Sequence, residues 1–172
     1  MLKQLRAIFF LPVMVMVIVP ALLVFGGGIN WAWGLSALWF WVVAFLSGMG
    51  AVIGFWLFAQ TVPLLVRCGQ GTLAPWDPPR RLVVRGIYRH VRNPMISGVI
   101  CVLSGETLLF GSIALLGWFL FFALANVLYI PRVEEHGLEE RFGADYVLYK
   151  KNVPRWIPRR TAWELPDDVV KP

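Results

Sequence analysis

Two polar stretches in an otherwise apolar chain hold the residue types that do chemistry. The first, "RGIYRHVRNP" at 85–94, sets Arg85, Arg89, His90 and Arg92 directly before an Asn93-Pro94 break. The second, "RVEEHGLEERFGADYVLYKKNVPRWIP" at 132–158, opens on Arg132 and the paired carboxylates Glu134 and Glu135. Guanidinium groups recognise anions in a bidentate fashion, and carboxylates accept from hydroxyls or balance a cation. Each group also has a plainer use. Juxtamembrane arginines anchor on lipid phosphates, and acidic residues at a helix start answer the helix dipole. The two histidines and two cysteines show no metal-ligand spacing, so no metal site is expected. Nor does a nucleophile stand beside an evident base. His90 reads as a solvated surface group.

The elements that position these stretches are set by hydropathy. Of the 172 residues, 58% are hydrophobic and 15% charged, well above the apolar share of soluble domains. Apolar runs at 7–25, 34–66, 95–110 and 113–130 predict an all-α integral membrane protein of about four transmembrane helices. The first run continues into glycines and tryptophans, which argues for a retained span over a signal peptide. Pro12 and Pro20 predict kinks there. The run 34–66 exceeds one upright span, and Gly50 with Gly54 suits either close helix contact or simple flexibility. A single helix over 95–130 would be about 54 Å long. Gly111-Ser112 instead predicts a hairpin of two shorter helices. Residues 67–94 read as an irregular loop and 131–172 as a C-terminal segment, in which Leu138, Phe142, Tyr146 and Tyr149 predict an amphipathic helix. Trp156 reads as an interface aromatic.

Charge placement orients this arrangement. With four spans, all sixteen Lys and Arg residues fall on one side, which the positive-inside bias assigns to the cytosol. The net charge of +6 therefore expresses topology and attraction to anionic lipid, and nucleic-acid binding is not expected. Glu106 lies inside a span near the outer turn, where a packing or interface role is expected. A tight 95–130 hairpin brings the two polar stretches together at the cytosolic surface as two walls of one pocket.

On these residues the chain resembles a known family. "LVVRGIYRHVRNPMISG", the hairpin with "GETLLFGS", and "EEHGLEERFGADYVLYKKNVPRWIP" together look like the isoprenylcysteine carboxyl methyltransferase and phospholipid methyltransferase group of integral membrane enzymes. The resemblance implies S-adenosylmethionine as cofactor. By position it implies contacts at Leu82, Val83, Tyr88, Asn93, Pro94, Met95, Ile96, Glu134 and Glu135. Arg89 or Arg92 is the candidate for the cofactor carboxylate, Glu134 for the ribose hydroxyls or the sulfonium, and Leu82, Val83 and Ile96 for the adenine. Arg132 is the candidate for substrate. Where many members have His-Pro followed by an aromatic, this chain has Asn93-Pro94 and then Ile96.

The expected function is methyl transfer from S-adenosylmethionine to an amphiphilic or lipid-borne acceptor, at the cytosolic face of the inner or cytoplasmic membrane. A prenylcysteine-like carboxylate, a phospholipid amine and other small amphiphiles all stay open as acceptors. Two other classes stay open as well: a membrane reductase using a nicotinamide cofactor, and a non-catalytic membrane scaffold.

Overall fold

Proline and glycine punctuate the helices. In the computed structural model, residues 12–69 and 81–164 are described, and they are helical without a strand. The start of the expected first span (7–11), the glycine- and proline-rich part of the loop (70–80) and the tail beyond residue 164 lie outside the described residues, while residues 67–69, expected in the loop, end the helical run from α2. Helix α1 is Met14–Gly27. Helix α2 is Ala37–Leu64, α3 is Pro94–Phe110, α4 is Ile113–Tyr129, α5 is Glu135–Phe142 and α6 is Ala144–Asn152.

Three stretches of π-helix accompany prolines. Met14–Ile18 precedes Pro20, Leu65–Gly69 follows Pro63, and Ile130–Glu134 contains Pro131. A proline lacks the N–H that an α-helical turn uses and crowds the carbonyl four residues back, so the ladder widens there. The third widening joins α4 to α5 in one helical run, Ile113–Phe142. It rotates the polar continuation relative to the apolar stretch.

Two of the described helices, Ala37–Cys68 and Ile113–Phe142, are long and apolar enough to cross a membrane, not the four expected. Helix α3 has 17 residues, about 25 Å at the α-helical rise, against a hydrocarbon layer of about 30 Å. Gly111 ends it in the left-handed region at φ 56°, which turns the chain into α4 as the hairpin requires. The expected amphipathic C-terminal helix is likewise two pieces. Gly143, at φ 56° and ψ −132°, breaks it between α5 and α6.

At the α2–α3 seam the two backbones approach closely. A Cβ added at Gly54 would lie 2.7 Å from the Gly98 carbonyl oxygen, and one at Gly105 would lie 2.8 Å from the Ser47 carbonyl. Gly50 is equally close to the backbone of Cys101. Absent side chains let the two backbones touch, so close contact rather than flexibility explains the Gly50/Gly54 pair. At the far end of the hairpin, the Asn30 amide donates to the Phe110 carbonyl at 3.0 Å. This brings the cation-free turn after α1 against the cation-free turn after α3.

Candidate functional site

Where α3 begins and α4 ends, the helices part around a cavity of about 510 Å³. That lies within the range of about 300–1,000 Å³ usual for small-molecule sites. Its apolar end is lined by Pro12, Val15, Val99, Phe122 and Val133. Its polar end is lined by Arg81, Arg92, Asn93, Glu134 and Arg141, with Tyr88, Tyr146 and Tyr149 beside them.

Of the residues singled out in the sequence, Leu82, Val83, Tyr88, Arg92, Asn93, Pro94, Met95, Ile96 and Glu134 stand on the cavity wall. Arg89, Glu135 and Arg132 do not. Gly86–Arg89 forms a 3₁₀ turn that buries Tyr88. Its neighbour Arg89 turns away, with Nε donating to the Trp163 carbonyl at 3.0 Å and its guanidinium paired with Glu164. Arg132 is exposed and donates back to Leu128 O of its own helix at 3.3 Å.

Glu134 and Glu135 are adjacent, so they point about 100° apart around the helix. Glu135 is 1% exposed and collects three cations. Arg92 donates to its Oε1 at 2.8 Å, Arg155 donates to both oxygens at 2.6 and 3.0 Å, and Lys150 lies 3.3 Å from Oε2. Burial works against its charge, but the Arg155 hydrogen bond and the Arg92 and Arg155 charges, aided by Lys150, outweigh it. The Glu135 carboxyl, which lies past the apolar stretch, is held below the usual range. Glu134 moves the opposite way. Its side chain is exposed and lines the cavity, and desolvation among the surrounding residues, then the Glu135 charge, raises its carboxyl.

The three tyrosines stay protonated. Burial pushes Tyr146 up to about 12, and burial followed by the Glu134 charge raises Tyr88. The Tyr149 hydroxyl donates to the Tyr88 carbonyl at 2.7 Å.

Behind the arginine-rich stretch runs a strap that sequence reasoning missed. The backbone amides of Arg92 and Asn93 donate to the carbonyls of Pro154 and Arg155, at 2.9 and 3.4 Å. Those of Arg159 and Trp163 donate to the carbonyls of His90 and Arg89, each at 3.0 Å. His90 Nδ1 sits 2.9 Å from the Arg159 carbonyl, so the ring is tied into this strap rather than solvated. Trp163 packs on the cluster of Tyr146, Tyr149 and Val153. The missed wall residue Asn126 did leave a signal, as the one amide in the apolar stretch of α4. Glu106 does not line the cavity, and its Oε2 is buried without a partner among the described residues.

Two buried donors at the cavity's polar end, Arg92 Nε and Asn93 Nδ2, have no hydrogen-bond partner among the described residues. Unmade buried hydrogen bonds are costly, and two such donors on residues that line one cavity suit a ligand rich in acceptors. S-adenosylmethionine, with its carboxylate, fits that donor set.

The phospholipid methyltransferase family profile matches residues 39–145, which include all but the first two residues of α2, all of α3 and α4, and the glutamate pair. Methanethiol S-methyltransferase 2 of Bradyrhizobium diazoefficiens is 34% identical over 89 residues, 50% of this chain and 32% of that relative. The chain thus spans about a third of the curated relative it matches.

Proposed function

From a chain that belongs to the phospholipid methyltransferase family, we propose an enzyme that moves a methyl group from S-adenosylmethionine to an amphiphilic or lipid-borne acceptor at the cytosolic face of a membrane. The family and the relative support methyl transfer. The observation that carries the cofactor reading is the pair of buried unpartnered donors, Arg92 Nε and Asn93 Nδ2, on residues that line the same cavity as Glu134.

When bound, S-adenosylmethionine supplies an electrophilic methyl group on a cationic sulfur. Arg92 and Asn93 receive its carboxylate, and Glu134 accepts from its ribose hydroxyls. Leu82, Val83 and Ile96 enclose the adenine. Leu138 and Phe142, which also line the cavity, keep water from the reacting centre. Alignment and water exclusion are the protein's main contribution, since the donor brings its own driving force.

The membrane reading rests on the two long apolar helices and on one-sided charge. In it α1 and α3 cross as well, the shortfall of α3 met by local thinning of the bilayer. A polar site at the ends of spans lets a lipid-borne acceptor stay in the apolar phase while its head reacts. The name of the relative favours a second reading, a small thiol as acceptor.

Calorimetry of S-adenosylhomocysteine binding to the purified protein tests the cofactor assignment. Glu134→Gln is expected to weaken binding by about 1–3 kcal/mol, the range for losing a charged hydrogen-bond partner. Absence of binding by the wild-type protein would refute the cofactor, and unchanged affinity in the variant would refute the role of Glu134.

A further inference from the structure

Of the three arginines on the cavity wall, Arg81 and Arg141 are exposed, whereas the Arg92 side chain is 8% exposed. A buried guanidinium takes its direction from the groups that grip it. Arg92 donates through Nη1 to Glu135 Oε1 at 2.8 Å, while its Nε has no partner among the described residues. Whatever orients the Glu135 carboxylate therefore orients Arg92.

The group that fixes the plane of that carboxylate comes from the strap. Arg155 donates through Nε to Oε1 at 2.6 Å and through Nη2 to Oε2 at 3.0 Å. Such a two-bond fork sets the plane of a carboxylate, which a single point charge cannot do. Lys150, the third cation, lies 3.3 Å from Oε2 and donates at 2.6 Å to Glu139 instead. The same strap reaches the backbone, where the Arg155 carbonyl accepts from the Asn93 amide at 3.4 Å and the Pro154 carbonyl from the Arg92 amide at 2.9 Å. One dipeptide that does not line the cavity thus holds both residues that carry the unpartnered buried donors, Arg92 and Asn93.

Resting on the cofactor reading above, we propose that Arg155 is a positioning residue for the amino-acid end of S-adenosylmethionine: its side chain sets Glu135, Glu135 sets Arg92, and its own carbonyl steadies Asn93. Arg155 does not line the cavity, so it acts only through these neighbours. Loss of its side chain leaves Glu135 with Arg92 and Lys150 as counter-charges. Charge balance then survives while the fixed orientation is lost. The adenine and ribose are received by other residues, Leu82, Val83, Ile96 and Glu134. Arg155 therefore bears on one end of the cofactor and not on the other.

The test uses the full chain in detergent and two probes: S-adenosylhomocysteine, and methylthioadenosine, which keeps the adenine, ribose and thioether and lacks the amino-acid end. Both affinities are read by calorimetry for the wild type, Arg155→Leu and Arg155→Lys. The wild type is expected to bind S-adenosylhomocysteine at least about tenfold more tightly than methylthioadenosine, the scale of a charge-assisted hydrogen bond. In Arg155→Leu that preference is expected to shrink to within about threefold, while methylthioadenosine affinity stays within about twofold, which also shows the variant to be folded. Arg155→Lys, which keeps the charge without the fork, is expected to lose the preference in the same way. A preference that survives Arg155→Leu, an equal loss of both probes in both variants, or full recovery with lysine overturns the proposal. A wild type that binds S-adenosylhomocysteine no more tightly than methylthioadenosine overturns the assignment of the carboxylate to Arg92 and Asn93, and this proposal with it.

Discussion

The α2–α3 seam and the Glu135 network hold the same molecule together by opposite means. At the seam nothing polar is exchanged between side chains. Gly50, Gly54, Gly98 and Gly105 remove the atoms that would keep two backbones apart. At the network one carboxylate, 1% exposed, gathers Arg92 from 43 residues earlier and Arg155 from 20 residues later. The seam tolerates loss of polarity and not added volume; the network tolerates modest changes of volume and not loss of charge. Between apolar helices side chains add little specific attraction, so close backbone approach fastens α2 to α3, while the cavity's polar residues need a group that fixes an arginine in place.

The largest expected effect breaks the network. Glu135→Ala leaves Arg92, whose side chain is 8% exposed, as a buried cation without its carboxylate. Removing one partner of a buried pair costs about 3–5 kcal/mol. The lower end is expected here, because Arg155 and Lys150 keep 28% and 37% of their side-chain surface. Denaturant unfolding in micelles measures it, and a loss below about 1 kcal/mol would show that the network holds little. The same group sets an acid limit. Its folded-state pKa lies below the ordinary value of 4.5, so its stabilisation is fully present above about 4.5 and fades as pH falls through the folded value. Glu135→Gln should flatten that acid-side decline in an unfolding series from pH 6 to 3.

Next in size is the seam. Gly54→Leu places a side chain where even a Cβ would lie 2.5 Å from Val102 Cγ2 and 2.7 Å from the Gly98 carbonyl. Overpacking of this kind costs about 1–3 kcal/mol. Gly48, with open space beside it, is the control. If Gly48→Leu destabilises as much as Gly54→Leu in the same assay, helix propensity and not close approach governs the seam.

The smallest effect sharpens the contrast. Arg89 pairs with Glu164 on the surface, where side-chain exposures are 30% and 78%. Such pairs contribute about 0–1 kcal/mol. Arg89→Ala should therefore change stability by less than about 1 kcal/mol and leave S-adenosylhomocysteine affinity within about twofold. A tenfold loss of affinity would put Arg89 at the site after all.

The two regions also differ in how far the sequence discloses them. Gly50 and Gly54 sit four apart in one apolar run, so the small-residue stripe is visible without its partner. Gly111-Ser112 shows the hairpin, since a break in a run too long to be one span has few other meanings. The strap at 153–164 is not visible in this way. Its bonds to Arg89, His90, Arg92 and Asn93 are made by backbone atoms, which carry no residue-type signature.

By itself the sequence determines that the chain is helical and apolar, that its cations fall outside the long apolar runs, and that its two polar stretches meet when the hairpin closes. Local rules suffice for each, because hydropathy, glycine and proline act on their immediate neighbours. Only the tertiary structure decides between Glu134 and Glu135 and between Arg89 and Arg92. Each choice depends on the angle at which a side chain leaves its element. That angle is set by the π-helical widening at Ile130–Glu134 and by the strap behind residues 89–93. Rotating a helix by one residue exchanges a group that lines the cavity for one that is buried behind it, and no pattern of residue types along the chain records that rotation.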